Sequence, residues 1–431
     1  LVMFKRTSLA AIGVLSGILS VSPSFFAFAQ PAALDGSAII VTAQIFPGLD
    51  PSGTTDSTAA LQQALNAAAG KTMILNKGVY RVTSLTLPKE GIRIAATGAK
   101  FELGDNATDG QPMMRLAAHS QGIEIDGLEI DGRAPIIPHL KDLREAMQTP
   151  NAKIIHPARI SGIVSEGHVS DIHLKNMTFR NLPQNAVELS NGDSHWDFSN
   201  NRIEGTGRHG FVVGFVTEQV HDLSIHDNHI VNCALSPISI IANSNEINSA
   251  GAAHVDIQRN YVSRNGLDLN GYSPNNKNIT ISNNVIEDNG VLNVMGHAIH
   301  FAGTNIIITK NIARNTAISA IVISGAPNSN PTPGEKFEVS DNVIETVLSA
   351  KNSKGILIQN TSSGRISGNK ISGTKECPIE VDGNALGHGG PRIHDIAITD
   401  NIITNSPLMG DQGVCASNAE NLTIKNNRFT P

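Results

Sequence analysis

Apolar residues in this chain recur on two length scales. Over a few residues they alternate with polar ones, as at Ile306 and Ile308. Alternation with a period of two predicts β-strands that bury one face. Over longer distances the pattern apolar-x-x-Asn-x-apolar returns. It reads Phe198-Ser199-Asn200-Asn201-Arg202-Ile203, then recurs around Asn228, Asn260, Asn284, Asn311, Asn342, Asn369, Asn401 and Asn427. From Asn201 onward these asparagines are 27, 32, 24, 27, 31, 27, 32 and 26 residues apart. A fixed motif at variable spacing predicts a coil of constant shape with loops of changing length. Residues 125–130 and 174–179 share the apolar pattern but lack the asparagine.

Each repeat reads as three short strands, for example Ala298 to Phe301, Asn305 to Thr309 and Asn311 to Ala313. Strands this short cannot bury a face alone; stacked coils do so and pair each backbone with its neighbours. The predicted fold is therefore all-β: a right-handed parallel β-helix of about ten or more three-strand coils. Asparagine suits the turns because its amide bonds nearby backbone and it tolerates left-handed geometry. Stacked turns predict an amide ladder, a structural role. Helical solenoids do not fit the β-branched, Gly-punctuated composition, and the leucine spacing of a leucine-rich repeat is absent.

The N-terminal part breaks the pattern. A basic start (Lys5, Arg6), an apolar stretch over residues 9–21 and Ala27-Phe28-Ala29 read as a signal peptide over residues 1–29, cleaved near Ala29. The apolar run is too short for a membrane anchor, and none longer follows. A periplasmic or secreted location is expected. Asp56 or Ser57 can cap a helix from residue 58 to about 69, with Leu61 and Leu65 on one face. An open solenoid end exposes strand edges, so this helix is expected to cap it, with the first strands after it. Residues 30–112 thus form the cap and first coils, and residues 113–431 the remaining β-helix. Residues 133–159, with four prolines and a charged piece, read as an inserted loop.

Composition narrows the partners. A formal net charge of -6 provides no basic field, so nucleic acid is not expected. Three cysteines (Cys233, Cys377, Cys415) allow at most one bridge and read as small apolar side chains in the stack. No cofactor is expected. Calcium is conceivable from the Asp and Asn content, but there is no EF-hand loop or Gly-Asp nonapeptide array. His388 and His394 form no zinc signature, and no metal ligand is assigned.

The segment Asp50-Pro51-Ser52-Gly53-Thr54-Thr55-Asp56 through Leu65, followed by Gly70 and Gly78-Val79-Tyr80, resembles the opening of pectin-lyase-like proteins, including the pectate-lyase-3 type and some phage tailspikes. The asparagine coils resemble the β-helix repeats of that superfamily. The layout is also similar to that of twin-arginine-exported β-helix repeat proteins, with Lys5-Arg6 where an Arg pair would stand. This resemblance implies the fold over nearly the whole mature chain. It does not select an activity, because the fold hosts lyases, hydrolases, epimerases, esterases and non-enzymes. Gly387-His388-Gly389 and Arg392-Ile393-His394 echo polygalacturonase motifs. The preceding Asn-Thr-Asp and Asp-Asp are missing, so the match reads as coincidence. The Asp-Pro-His associated with mannuronan epimerases is also absent.

In this superfamily sugar usually lies along one strand row. Aligning the copies gives an outward row of Glu188, Val212, Ser239, Asp268, His300, Val322, Leu357, Glu380 and Cys415. Coils about 4.8 Å apart would bring Asp268 to His300. Asn270 and Tyr272 point the same way, and nearby loops add Arg208, His209, Arg264 and His297. Uronate chemistry needs the carboxylate neutralised and the C5 proton removed; a lyase must also protonate the leaving oxygen. Arg264 or Arg208, with Asn270, is the candidate carboxylate binder. His300 or Tyr272 is the candidate base and acid, with Asp268 fixing the imidazole tautomer. A hydrolase needs two carboxylates about 5–9.5 Å apart. Glu188 and Asp268 are too far apart, whereas Glu380 and Asp382, about 7 Å apart on one strand, keep an inverting hydrolase open.

The expected function is action on an acidic polysaccharide, by β-elimination or C5-epimerisation near Asp268, Tyr272 and His300. A glycoside hydrolase and a non-catalytic glycan-binding envelope protein are the alternatives. Only three Tyr and one Trp are available for sugar stacking, which favours an enzyme.

Overall fold

Alternating apolar side chains in this chain find their partners one coil away. The computed structural model describes residues 37–134, 159–214, 216–240, 249–290, 296–325, 334–347, 353–384 and 392–430. The expected signal peptide, most of the 133–159 loop and Gly387-His388-Gly389 lie outside them. Strands form three parallel sheets of 14, 14 and 12 strands, here called A, B and C. Sheet A runs from Ala38–Val41 to Ala419–Lys425, sheet B from Ser52–Asp56 to Arg428–Thr430, and sheet C from Leu85–Leu87 to Val414–Ser417. From Thr72–Leu75 to Val414–Ser417 each turn of the chain visits A, then B, then C; in the first turn the helix Thr58–Ala67 follows the sheet B strand instead. Ile257, Ile281, Ile308, Val339, Ile366 and Ile398 stack in register on the inner face of sheet A, all buried.

The asparagine ladder lies at the A-to-B corner. The Asn284 amide nitrogen donates to Asn311 Oδ1 and to Ile257 O, both at 2.9 Å. Its Oδ1 accepts the backbone N–H of Asn260 at 2.9 Å and the Asn260 amide at 3.0 Å. The same exchange continues to Asn427. One detail differs from expectation. The left-handed residue is the one before each ladder asparagine, such as Asn283 (φ 56°), Lys310 (φ 57°) and Asp341 (φ 56°). The ladder asparagine is therefore selected for its amide rather than for its backbone freedom.

The helix forms over Thr58–Ala67, with Ala60, Leu61, Ala64 and Leu65 buried. Asp56 accepts the Thr58 N–H at 2.7 Å, while Ser57 Oγ accepts that of Asp50. Two strands precede the helix, contrary to expectation: Ala38–Val41 pairs with Thr72–Leu75, and Ser52–Asp56 pairs with Gly78–Val82. The second carries Ser, Gly, Thr and Asp, mostly exposed, so no apolar alternation announces it. Cys377 and Cys415 form a disulfide, correcting their reading as plain apolar side chains. Cys233 keeps that reading: it is buried and free, and burial pushes its thiol up to about 12.

A charged cluster on sheet A makes stability depend on pH. Asp197 faces His173 at 3.6 Å and His226 at 3.0 Å. Burial pushes the Asp197 carboxyl up, but the two imidazoles outweigh it and hold it well below the usual range. Asp197 in turn raises both histidines. A lowered carboxylate contributes stability above its unfolded pKa, lost as pH falls; raised histidines contribute below theirs, lost as pH rises. The contribution is therefore largest between about pH 4 and 6.5. Thermal melts are expected to show a Tm that declines above this window, and Asp197→Asn is expected to flatten the decline.

Candidate functional site

The outer face of sheet C carries one row of side chains from coil to coil. Strand pairing gives Glu188, Val212, Ser239, Asn270, His300, Val322, Leu357, Glu380 and Cys415. The expected row is correct except at one place, where Asn270 rather than Asp268 pairs with His300. The strand there is Leu269–Gly271, so Asp268 belongs to the turn that enters it. Gly266 lets that turn lie against the preceding coil: a Cβ on it would sit 1.9 Å from the Ala234 carbonyl oxygen. Gly266→Ala must push the two backbones apart. It is expected to destabilise the fold by about 1–3 kcal/mol, read from chemical denaturation.

Asp268 still reaches the cluster. Tyr272 Oη donates to its two oxygens at 3.0 and 3.1 Å, and the Asn270 amide donates to Oδ1 at 3.1 Å. The same Asn270 amide donates to Ser236 Oγ, and Ser239 Oγ donates to Asn270 Oδ1, both at 2.6 Å. His300 Nδ1 stands 3.7 Å from Asp268 Oδ2, too far for a hydrogen bond. Asp268 therefore does not fix the imidazole as expected; His300 Nε2 pairs with Ser324 Oγ at 3.0 Å instead. His297 Nδ1 donates to Ser319 O at 3.0 Å. The rings of Tyr272 and His297 both meet His300 edge-on, with centroids 4.8 and 5.1 Å away. Asp268 and Asn270 are buried, whereas the His300 side chain is 19% exposed.

Burial dominates the electrostatics. It raises the Asp268 carboxyl against the pull of His297 and its hydrogen bonds, and it raises the Tyr272 phenol, as does the Asp268 charge. It lowers His297 and, more strongly, His300, which the His297 charge lowers further. Both imidazoles are thus favoured in the neutral form.

The remaining expected residues are not at this point. Arg264 is exposed, close enough to His229 to influence its charge, and has no hydrogen bond or ion pair to the cluster. Arg208 is half-buried, with its Nε lacking a hydrogen-bond partner. His209 is buried and lowered to about 3 by burial and Arg208; its Nδ1 accepts the Ser236 N–H, so it supports the cluster from behind. Glu380 and Asp382 share a face of Ile379–Asp382, but each is engaged: Glu380 with Lys354 at 3.4 Å, and Asp382 with Ser417 Oγ at 2.8 Å. Ser236 and Ser324 were missed. Ser324 follows Val322 by two on one strand, a period-two signal that was readable; Ser236 sits in a turn and carries no such mark.

A second feature lies toward the N-terminal end of this face. A cleft of about 410 Å³ is lined by Arg115, Arg159, Gln184 and Glu188, among others. Arg115 pairs with Glu166 at 2.5 Å and Arg159 with Asp109 at 3.2 Å. No helix among the described residues is long and apolar enough to cross a membrane.

No curated protein matches this sequence. Among solved structures, the chain is similar to PfbA, a surface adhesin of Streptococcus pneumoniae, at 14% identity and a TM-score of 0.56, covering 91% of each chain. It is similar to the pre-mature gene product 12 of bacteriophage phi29 at 12% identity and a TM-score of 0.55, covering 91% of this chain and 52% of that one. Tailspike protein 3 of bacteriophage CBA120 follows at 13% identity and a TM-score of 0.51, with 91% and 61% covered. At these identities the likeness is one of fold. The model of the right-handed β-helix region matches residues 161–334 and 333–431, more than half of the chain. With three parallel sheets wound coil upon coil and this match over most of their length, the chain belongs to the right-handed β-helix family.

Proposed function

We propose that this chain is an exported carbohydrate-active enzyme that acts on an acidic polysaccharide by β-elimination or C5-epimerisation. The observation that carries the reading is the Tyr272 hydroxyl held by both oxygens of a buried Asp268, beside a partly exposed His300 on an outward sheet face. Both reactions begin with loss of the C5 proton. In elimination the C4–O bond then breaks and its oxygen takes up a proton; in epimerisation a proton returns to C5 from the other face. Tyr272 is the proton-transferring group in this reading: its oxygen takes up the C5 proton as its own proton passes to Asp268, whose carboxyl burial raises, and in elimination the proton returns through it to the C4 oxygen, whereas in epimerisation solvent supplies the proton on the opposite face. His300 lies on the side of the sugar carboxylate. A sugar chain running along sheet C would extend toward the cleft, whose Glu188 lies four coils (roughly 19 Å) and whose Arg115 lies six coils (roughly 29 Å) from His300. The leader-like N-terminus supports export, as does the Cys377–Cys415 disulfide, which suits an oxidising compartment. The Thr58–Ala67 helix acts as the cap of the N-terminal coils in the same reading.

The test is a panel of alginate, pectate and glycosaminoglycans incubated with the mature chain. Appearance of the ultraviolet absorbance of a 4,5-unsaturated uronate identifies a lyase. Exchange of the C5 proton with solvent, without chain cleavage, identifies an epimerase. Absence of both on every polyuronate overturns the proposal, and release of reducing ends without unsaturation would point to a hydrolase.

A further inference from the structure

Uronate chemistry as proposed leaves one requirement unfilled, since neither Arg264 nor Arg208 reaches the cluster. The cluster contains another means of binding an anion. Asp268, His297 and His300 each present one ligand atom, and the three atoms lie within 4.8 Å of one another. The imidazoles are oriented as metal ligands usually are, with one ring nitrogen donating outward and the other left for the ion. His297 Nδ1 is engaged on Ser319 O, which leaves Nε2; His300 Nε2 is engaged on Ser324 Oγ, which leaves Nδ1. His300 Nδ1 and Asp268 Oδ2 are 3.7 Å apart, beyond hydrogen-bond range and too close for a bridging water. That gap is near the ligand–ligand edge of about 3.4 Å in a tetrahedral site with bonds of about 2.0–2.1 Å.

We propose that Asp268, His297 and His300 form a binding site for one divalent transition ion of the zinc class. Two imidazoles and one carboxylate form a borderline nitrogen–oxygen set that suits zinc better than calcium or magnesium, which take oxygen ligands. Three protein ligands leave a position open, as in catalytic rather than structural zinc sites. The ligands come from two coils, 29 and 32 residues apart in sequence, so no short motif reveals them. If the site acts in the reaction proposed above, which is the part that rests on that reading, the open position takes the sugar carboxylate. Tyr272 then remains the proton-transferring residue.

The test uses the full mature chain, stripped by dialysis against a chelator and titrated calorimetrically with Zn²⁺. One equivalent is expected to bind. His297→Ala and His300→Ala are expected to abolish that binding, and Ser324→Ala to weaken it by roughly 10–100-fold. Tyr272→Phe, which removes the hydroxyl bonded to Asp268 but no ligand, is expected to weaken binding by a similar factor without abolishing it. His221→Ala, which dismantles the separate surface group of His195, His221 and Asp222, is expected to bind normally. Circular dichroism melts establish that each variant is folded, and visible absorption bands of bound Co²⁺ report tetrahedral coordination independently of activity. No stoichiometric binding, or binding that survives in the His297→Ala and His300→Ala chains, overturns the site. Zinc binding without action on any polyuronate would leave the site standing and remove the proposed function; polyuronate activity in a chain that binds no zinc would do the reverse.

Discussion

Asn284→Ala is expected to cost about 3 kcal/mol or more of stability, although the residue touches nothing outside the coil corner. The Asn284 side chain is fully buried and engaged in four hydrogen bonds. Its removal leaves the Asn260 backbone N–H without its acceptor and takes a donor from the Ile257 carbonyl and from Asn311 Oδ1, which keeps only the backbone N–H of residue 284, in a site water cannot enter. An unpaired buried group costs about 1–3 kcal/mol, so the sum of several exceeds the usual effect of a point substitution. Asn284→Asp keeps the acceptor but loses both donated bonds and buries a charge, so it is expected to be no better tolerated. Asn427→Ala, at the last and part-buried rung, removes the acceptor of Asn401 and the donor to Ile398 O, where solvent can substitute, and is expected to cost about 1 kcal/mol. Denaturation midpoints by circular dichroism compare the three. Equal, small shifts at Asn284 and Asn427 would mean that the ladder is not a cooperative element.

That ladder is readable because one residue type recurs at one place in each coil from Asn201 to Asn427. The three-sheet architecture followed from it, as did all but one position of the outward row on sheet C. The exception is informative. Alternation places Asp268 in the row, yet the turn that holds Gly266 against Ala234 runs on through Asp268, the strand begins at Leu269, and Asn270 stands opposite His300. Alternation counts residues and cannot register where a glycine lets a turn tuck inward. The same limit hid the strand Ser52–Asp56, whose polar residues carry no alternation. The arginines failed for another reason. Arg264 is four residues from Asp268, but the corner between sheets B and C separates them, and sequence proximity across a corner says little about side-chain direction.

Tyr272→Phe is expected to lower kcat on a polyuronate by about 100- to 10,000-fold while changing KM little. The substitution removes one oxygen, the one held by Asp268, and leaves the ring against His300. His300→Ala is expected to lower kcat/KM comparably and to raise KM as well, because His300 lies on the carboxylate side of the proposed pose. Glu380→Gln, three coils from His300 along the same row, changes a group paired with Lys354 and is expected to leave kcat within about threefold. Steady-state rates on the best substrate of the panel check all three. A reversed order, with Glu380→Gln inactive and Tyr272→Phe active, would transfer the chemistry to the Glu380 and Asp382 pair and to hydrolysis.

The central claim, that an acidic sugar is bound and processed on the outer face of sheet C at Asp268, Tyr272 and His300, is tested most directly by a crystal structure of the Tyr272→Phe chain soaked with an oligouronate. The prediction is density for sugar along sheet C, with one carboxylate beside His300 and C5 facing position 272. Sugar bound on sheet A or sheet B, or along sheet C with no contact to His300, would contradict it.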